Sequence, residues 1–248
     1  MTATISLDEL NSQSALLDRV DRKYLIEVAE LPMLLNRLEP YSRILEIDGL
    51  TWFGYHSVYY DTPDLDCYAG AGTGRRRRFK VRTREYLNTD QHFLEVKTRG
   101  PRKTTIKDRI DRSDAGSISS DERRWISQTL ASRGVRNAPV DELQPILTTY
   151  YSRRTVQICP SDAEISRMTI DIGLTCSSPY HSQHSAVLDD YAVVETKGGS
   201  RPSPADRALW AMRHRPTSIS KFGVGVALLN PQLPDFKWHR VITHQFAA

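Results

Sequence analysis

The chain has 248 residues, with 34 Lys+Arg against 30 Asp+Glu, a formal charge of +4 and a pI near 9.0. At 39% hydrophobic and 26% charged residues it holds ample material for a buried core, which excludes general disorder. No apolar run approaches the roughly 18 residues that span a bilayer, and three distant cysteines (Cys67, Cys159, Cys176) without a CxxC pair exclude a disulfide framework and a thiolate zinc site.

In chain order, the stretch from Met1 to Leu10 carries two acids and no base, which is unlike a secretory signal, so a reducing cytoplasm is expected. Leu7, Leu10, Ser14 and Leu17 stand at helical spacing and predict a helix over 7–20. A strand over 22–27 and a second helix over 28–39 follow, with Pro32 in the helix's first turn. Strands then dominate, at 54–61, 77–86, 92–99, 104–111, 146–158, 167–176 and 191–198. Helices are expected over 121–134 and 203–215, the second capped by Ser203 with Pro204 at its first position. Residues 220–229 are short and apolar, and 231–248 read as a Pro-rich tail. With no repeat and no long linker, one strand-rich domain over 1–248 is the simplest organisation.

The global charge hides a local one. Residues 75–109 hold thirteen bases and four acids, a net +9 that leaves −5 for the rest. Such a segment implies a polyanionic partner. Residues two apart on a strand share a face. Lys80, Arg82 and Arg84 therefore oppose Phe79, Val81 and Thr83, and Glu95, Lys97 and Arg99 oppose Leu94 and Val96. Lys107 and Arg109 oppose Ile106 and Ile110. Arg167, Thr169 and Asp171 oppose Met168, Ile170 and Ile172, and Glu195 and Lys197 oppose Val194 and Thr196. Arg19, Asp21 and Lys23 have the same spacing. Any one such strand reads as a solvated face over a core. Repeated through the chain, that reading weakens; if the strands close into a barrel with these faces inward, they make a lining of Lys and Arg that needs a dense polyanion to fill it.

These segments carry a resemblance. RVDRKYLI (19–26), YHSVYYDTPDLDCY (55–68), FKVRTREY (79–86), FLEVKTR (93–99), IKDRI (106–110), YYSRRT (150–155), RMTIDIGL (167–174), VVETKG (193–198) and SISKFGVG (218–225) follow one another in order. Together they resemble the VTC-type polyphosphate polymerase domain of the triphosphate tunnel metalloenzyme (CYTH-like) superfamily. The resemblance implies an α+β, mainly β fold: an antiparallel β-barrel tunnel with flanking helices. It implies binding of ATP and of inorganic polyphosphate or triphosphate, with Mn²⁺ or Mg²⁺ as cofactor. The family's phosphate-binding bases fall on Lys23, Arg82, Arg84, Lys97, Lys107, Arg153 or Arg154, Arg167 and Lys221. Its metal-holding glutamate falls on Glu195, with Lys197 beside it, while Lys80 and Arg109 join the lining by parity. Lys97, Arg82, Arg84 and Glu195 form the expected catalytic set. Ser218 stands where the eukaryotic polymerase has a second lysine, and Asp21 is the one acid where the hydrolase branch has two. Fewer acids favour transfer to phosphate over attack by water.

Phosphoryl transfer asks for positioning and charge neutralisation, and an anionic phosphate acceptor needs no strong base. No Ser-His-Asp pattern is present. The alternatives are a tripolyphosphatase or nucleoside triphosphatase on the same lining, and a non-catalytic polyphosphate- or RNA-binding domain. RNA platforms interleave exposed aromatics with bases, whereas Phe79 lies off the basic face, and no DNA partner is expected. His181-x-x-His184 reads as a solvated loop, and Gly70-x-Gly72-x-Gly74 as a flexible turn. Arg75 to Arg78 form either a tunnel mouth or an exposed charge run, with Arg102 and Lys103 solvated beyond Pro101. Tyr150, Tyr151, Trp52, Trp125 and Trp210 read as core.

Overall fold

A computed structural model describes residues 3–13, 20–101, 104–161, 164–181 and 183–246. Contacts divide the chain into two compact units: Met1–Gly54, Tyr151–Leu174 and Leu188–Ile219 in the first, and Tyr55–Tyr150, Thr175–Val187 and Ser220–Ala248 in the second.

The first unit is built on strand β2 (Val20–Glu27), β11 (Tyr191–Gly198), the larger part of β9 (Ser166–Ser177) and the end of β8 (Gln144–Ile158). These strands lie in the order β2-β11-β9-β8, with β11 antiparallel to both its neighbours. Short β3 (Ser42–Leu45) adds to β8, and β1 (Ala3–Ile5) runs parallel to β3. Even-numbered residues of all four long strands (Tyr24, Ile26, Val156, Ile158, Met168, Ile170, Ala192, Val194) form one buried cluster. Two helices cover it, α2 (Leu31–Leu38) through Leu31, Leu34 and Leu38, and α5 (Pro204–Ala211) through Ala205 and Leu209. Each such leucine, taken out of water, contributes about 1.5–3 kcal/mol. The odd-numbered, charged residues are thereby forced to the other face.

Asp206 locks this arrangement. Fully buried in the first turn of α5, it accepts from Tyr24 Oη (2.7 Å), Thr196 Oγ1 (2.6 Å), Ser203 N (2.7 Å) and Ser203 Oγ (2.9 Å). Arg22 adds an ion pair at 3.3 Å. The sequence predicts a first helix over 7–20; α1 spans Leu7–Gln13, Val20 already belongs to β2, and residues 14–19, Arg19 among them, lie outside the described residues. Glu9 of α1 pairs with Arg43 of β3 at 2.5 Å.

The second unit is an antiparallel meander of β4 (Phe53–Asp61, from Tyr55 onward), β5 (Phe79–Tyr86), β6 (Gln91–Arg99) and β7 (Thr105–Arg112). Helix α4 (Ser120–Ser132) packs on β6 and buries Ile126 and Leu130. Its start is set by a capping box between Ser119 and Glu122. Helix α3 (Asp66–Thr73) occupies the stretch read as a flexible glycine turn. Buried Asp61 accepts from the backbone N–H groups of Thr62, Cys67 and Tyr68, satisfying its N-terminal donors. Gly74 ends it at φ +75°, and at Gly72 a Cβ would meet Phe236 at 2.2 Å, so the glycines serve a helix end and a close contact.

Helix α6 (Lys221–Leu229) follows, and the expected tail instead carries α7 (His239–Gln245) and the fully buried Trp238. Trp238 packs with Tyr68 and Phe236 at 5.5 and 6.4 Å between ring centres. A short strand, β10 (Ser185–Leu188), pairs with β9. Tyr150, read as core, is 43% exposed, and Trp52, Trp125 and Trp210 are half-buried; Tyr151 is buried as expected.

The fold is α+β, mainly antiparallel β, as expected. Among the described residues β2 pairs only with β11, and β7 only with β6, so backbone hydrogen bonds leave the sheet open instead of closing a barrel. No helix among them is long and apolar enough to cross a membrane.

Candidate functional site

In the second unit the register converts alternation into rows. Tyr59, Arg82, Glu95 and Arg109 stand side by side across β4–β7. Ser57, Arg84, Phe93 and Asp111 form the row on one side, and Lys80, Lys97 and Lys107 the row on the other. All share the face opposite Val81, Leu94 and Val96, which are fully buried.

This crowd of bases is organised around one buried acid. Glu95, with no side-chain exposure, lies 2.5 Å from Arg82 Nη2 and 3.5 Å from Lys107 Nζ, and Arg82 Nε also donates to it at 2.7 Å. Burial alone would raise its carboxyl; the Arg82, Arg84, Lys97 and Lys107 charges outweigh that and hold it far below the carboxylate range. Arg82 also donates to Tyr59 Oη at 3.0 Å. Burial pushes that phenol up, but Arg82 and Arg84 prevail and lower it. Burial pulls the Lys107 ammonium down, against the pull of Glu95. Aromatic faces hold the remaining guanidiniums: Arg84 lies over Tyr55 at 5.2 Å and Arg109 over Phe93 at 4.4 Å. Arg84 Nε also donates to Ser57 Oγ at 3.2 Å. Lys80 donates to Ser220 Oγ at 2.9 Å, the same oxygen that caps α6 by accepting from Gly223 N. Lys221 is the first residue of that helix.

In the first unit, Thr169, Glu195 and Lys23 form one row across β9, β11 and β2. Arg167, Lys197 and Asp21 form the next, and Asp171 lies beyond Thr169 beside Val193. Arg153 grips Asp171 as a fork, Nε to Oδ1 at 2.5 Å and Nη2 to Oδ2 at 2.8 Å. Arg167 donates to the Leu10 carbonyl at 3.2 Å and Lys23 to the Ile219 carbonyl at 3.4 Å.

Arg154 has the parity of Val156 and Ile158; it donates to Thr51 Oγ1 at 2.9 Å and lies 4.5 Å from the Trp52 ring centre. Of the two candidates, Arg153 joins the charged face and Arg154 does not. The other predicted site residues collect within their units: Lys80, Arg82, Arg84, Lys97, Lys107 and Arg109 in one, Lys23, Arg167, Glu195 and Lys197 in the other. Glu95, Asp171 and Tyr59 escaped the sequence reading as site residues, although Glu95 and Asp171 have the parity of neighbouring bases. Arg75, Arg76 and Arg77 are exposed; Arg102 and Lys103 lie outside the described residues.

The profile of the VTC domain family matches residues 18–230. The chain belongs to the VTC domain family. No curated protein matches its sequence. Among solved structures, this VTC domain is similar to HpAC1 from Hippeastrum, a protein with a dominant triphosphatase activity, at 13% identity and a TM-score of 0.49 over 84% of this chain and 94% of that one. It is also similar to the PH1819 protein from Pyrococcus horikoshii (10% identity, TM-score 0.45, 86% of this chain and 97% of that one). A conserved hypothetical protein from Pyrococcus furiosus matches at 12% identity and TM-score 0.41, over 79% and 88% of the two chains.

The acids of this VTC domain differ in their fitness for a hard divalent cation. Glu95 and Asp171 are almost wholly buried and engaged by arginine at 2.5 Å. The Glu195 side chain is 17% exposed, and its ion pair with Lys197 is 3.6 Å long. A carboxylate reachable from outside suits such an ion better than one wholly buried.

Proposed function

We propose that this VTC domain is a metal-dependent phosphotransferase that takes the terminal phosphoryl group of ATP and adds it to inorganic polyphosphate. The observation that supports this is the row-by-row packing of bases around Glu95, in which Lys80, Arg82, Arg84, Lys97, Lys107 and Arg109 share a face with one buried acid. That excess of fixed positive charge matches a chain of phosphates. Glu195 would hold a divalent ion, Mn²⁺ or Mg²⁺, which would supply neutralisation of phosphate charge.

The residues themselves bind and orient. Arg82 and Arg84 offer planar forks for paired phosphate oxygens, and Lys97, Lys107 and Lys80 offer point charges. Glu95 and Tyr59 hold Arg82 in one orientation, so its charge is placed in advance. On the first unit's face, Lys23, Arg153, Arg167 and Lys197 are further phosphate contacts, and Lys221 is another on the second. The nucleophile is a terminal oxygen of the acceptor chain, already anionic. It forms a bond to the γ-phosphorus of ATP as the bond to the β,γ-bridging oxygen breaks, and ADP leaves. No general base is required.

Purified protein incubated with ATP and Mn²⁺, with ADP, free phosphate and polyphosphate resolved separately, tests the reading. ADP matched by polyphosphate is expected. ADP matched by free phosphate makes the protein a hydrolase, and an absence of turnover makes it a binding domain; either result overturns the proposal.

A further inference from the structure

The arginine run that opens the basic segment takes no part in the phosphate chemistry so far described, yet it helps to build a second feature of the same unit. Arg76 and Arg77, between α3 and β5, line an open cleft of about 290 Å³ together with Arg99, the last residue of β6, and Arg133, just past the end of α4. Gly100, Pro101 and Gly134 complete the wall, so neither an acid nor an aromatic side chain lines it. Its volume lies near the lower end of small-ligand sites, roughly 300–1,000 Å³.

The loop that carries Arg76 and Arg77 is braced from within. The Arg75 N–H donates to the Gly70 carbonyl at 3.0 Å, and Arg78 Nη1 donates to the carbonyls of Arg75 at 2.8 Å and Gly74 at 3.2 Å. Arg133 is already committed: it forks onto Asp108 at 2.6 and 3.1 Å, and it stands at the C-terminus of α4, where its charge offsets the negative helix end. Arg76, Arg77 and Arg99 differ. Among the described residues no carboxylate pairs with them. Arg99 is half-buried and acts on its surroundings: burial, and then the Arg99 charge, lower the Arg78 guanidinium from its ordinary value. Like charges gathered without an acid repel one another, and a bound anion removes that cost.

The lining also selects among anions. A single-stranded RNA site offers aromatic faces to the bases, and a peptide site has an apolar centre within its polar rim; the cleft has neither. It offers charge alone, which suits a bare phosphate polymer. Its place along the strand agrees. Arg99 lies two residues beyond Lys97 with the same parity, about 7 Å farther along β6 from the row of Lys80, Lys97 and Lys107. We propose that the cleft is a distal site for polyphosphate, which holds the chain beyond the basic rows while its end reacts there. The inference rests on the reading of those rows as a phosphate-chain site. A second hold makes the binding of a long chain bivalent, so that when the end is released after a transfer the cleft keeps the polymer close. A triphosphate, too short to occupy both places, gains nothing from it.

Calorimetry on the full-length protein with two probes, tripolyphosphate and long-chain polyphosphate, tests this without turnover. The double variant Arg76→Ser/Arg77→Ser changes two exposed side chains, so it should fold, with thermal unfolding as the check. It should bind long-chain polyphosphate about tenfold more weakly than wild type, and tripolyphosphate with wild-type affinity. The slope of log affinity against log salt for the long chain should become shallower by roughly 1–2 as two phosphate contacts are lost. Arg37→Ser/Arg240→Ser, which removes the same charge at exposed positions outside the cleft, should leave both affinities at wild-type values. Failure to make polyphosphate from ATP, with the chain-length effect intact, would overturn the polymerase reading and still support the cleft. Equal weakening of both probes, an equal effect of the control variant, or wild-type long-chain affinity in Arg76→Ser/Arg77→Ser would overturn the proposal. So would single-stranded RNA that binds as tightly as polyphosphate and is lost with the same two arginines, a result that would make the cleft a nucleic-acid site.

Discussion

Replacing Glu95 by Gln tests whether the basic rows are held together by one counter-charge. The substitution keeps size and removes charge from a side chain with no exposure, breaking its ion pair with Arg82, itself 10% exposed. Removing one partner of a buried pair costs about 3–5 kcal/mol, and at this chain length each kcal/mol lowers Tm by roughly 2–4 °C. A fall of about 10 °C at pH 7 is therefore expected, read by thermal unfolding. The pH dependence has a definite sign. The folded-state pKa of Glu95 is depressed, so its stabilisation is present above the unfolded value of 4.5 and is lost as pH falls below it. The gap between wild type and variant should accordingly narrow as the pH drops below about 4.5. Tripolyphosphate, which brings anions to the same bases, should raise the Tm of the variant more than that of the wild type. A variant within about 1 kcal/mol of wild type at pH 7, where a surface pair would leave it, would refute the counter-charge account, as would equal ligand shifts in both proteins.

Lys97→Ala should lower kcat for ATP by about 10²-fold while the protein stays folded, measured by steady-state kinetics with circular dichroism as control. Glu195→Gln should retain triphosphate binding but lose metal-dependent turnover, with partial recovery as Mn²⁺ is raised; turnover undiminished at low Mn²⁺ would contradict the metal role. Tripolyphosphate affinity should fall steeply with added salt, and duplex DNA should compete poorly in the same titration. Arg153→Ala should cost up to about 3–5 kcal/mol in denaturant unfolding because it removes the fork that grips buried Asp171, whereas Arg154→Ala should leave tripolyphosphate affinity unchanged in calorimetry.

The charged faces were legible because a strand has a period of two: Lys80, Arg82 and Arg84, or Glu195 and Lys197, declare a common face without any knowledge of their neighbours. Parity could not choose between Arg153 and Arg154 while the side of β8 covered by helices was unknown. Nor could it give Glu95 its role, since that depends on lateral register with Arg82 and Lys107. Helix α3 was missed because its glycines suit a turn equally well; distant Phe236 and the carboxylate of Asp61 make it a helix. The residues after 231 looked like a tail for the same reason, because Trp238 gains its burial from partners far away in sequence. Barrel closure was a matter of edges, which local alternation does not encode.

Asp206 has a consequence for genetics. It binds Tyr24 and Thr196, and the residues next to these along the chain, Lys23 on one side and Glu195 and Lys197 on the other, present their side chains to the opposite surface. A rotation of either strand that misaims those side chains strains its bond to this one carboxylate. A screen for inactive alleles should therefore return Asp206 changes mixed with those of Lys23 and Glu195, though Asp206 is fully buried on the other face. Sorting the collection by melting temperature would part them: Asp206 alleles should be both inactive and fragile, and Lys23 alleles inactive and sturdy.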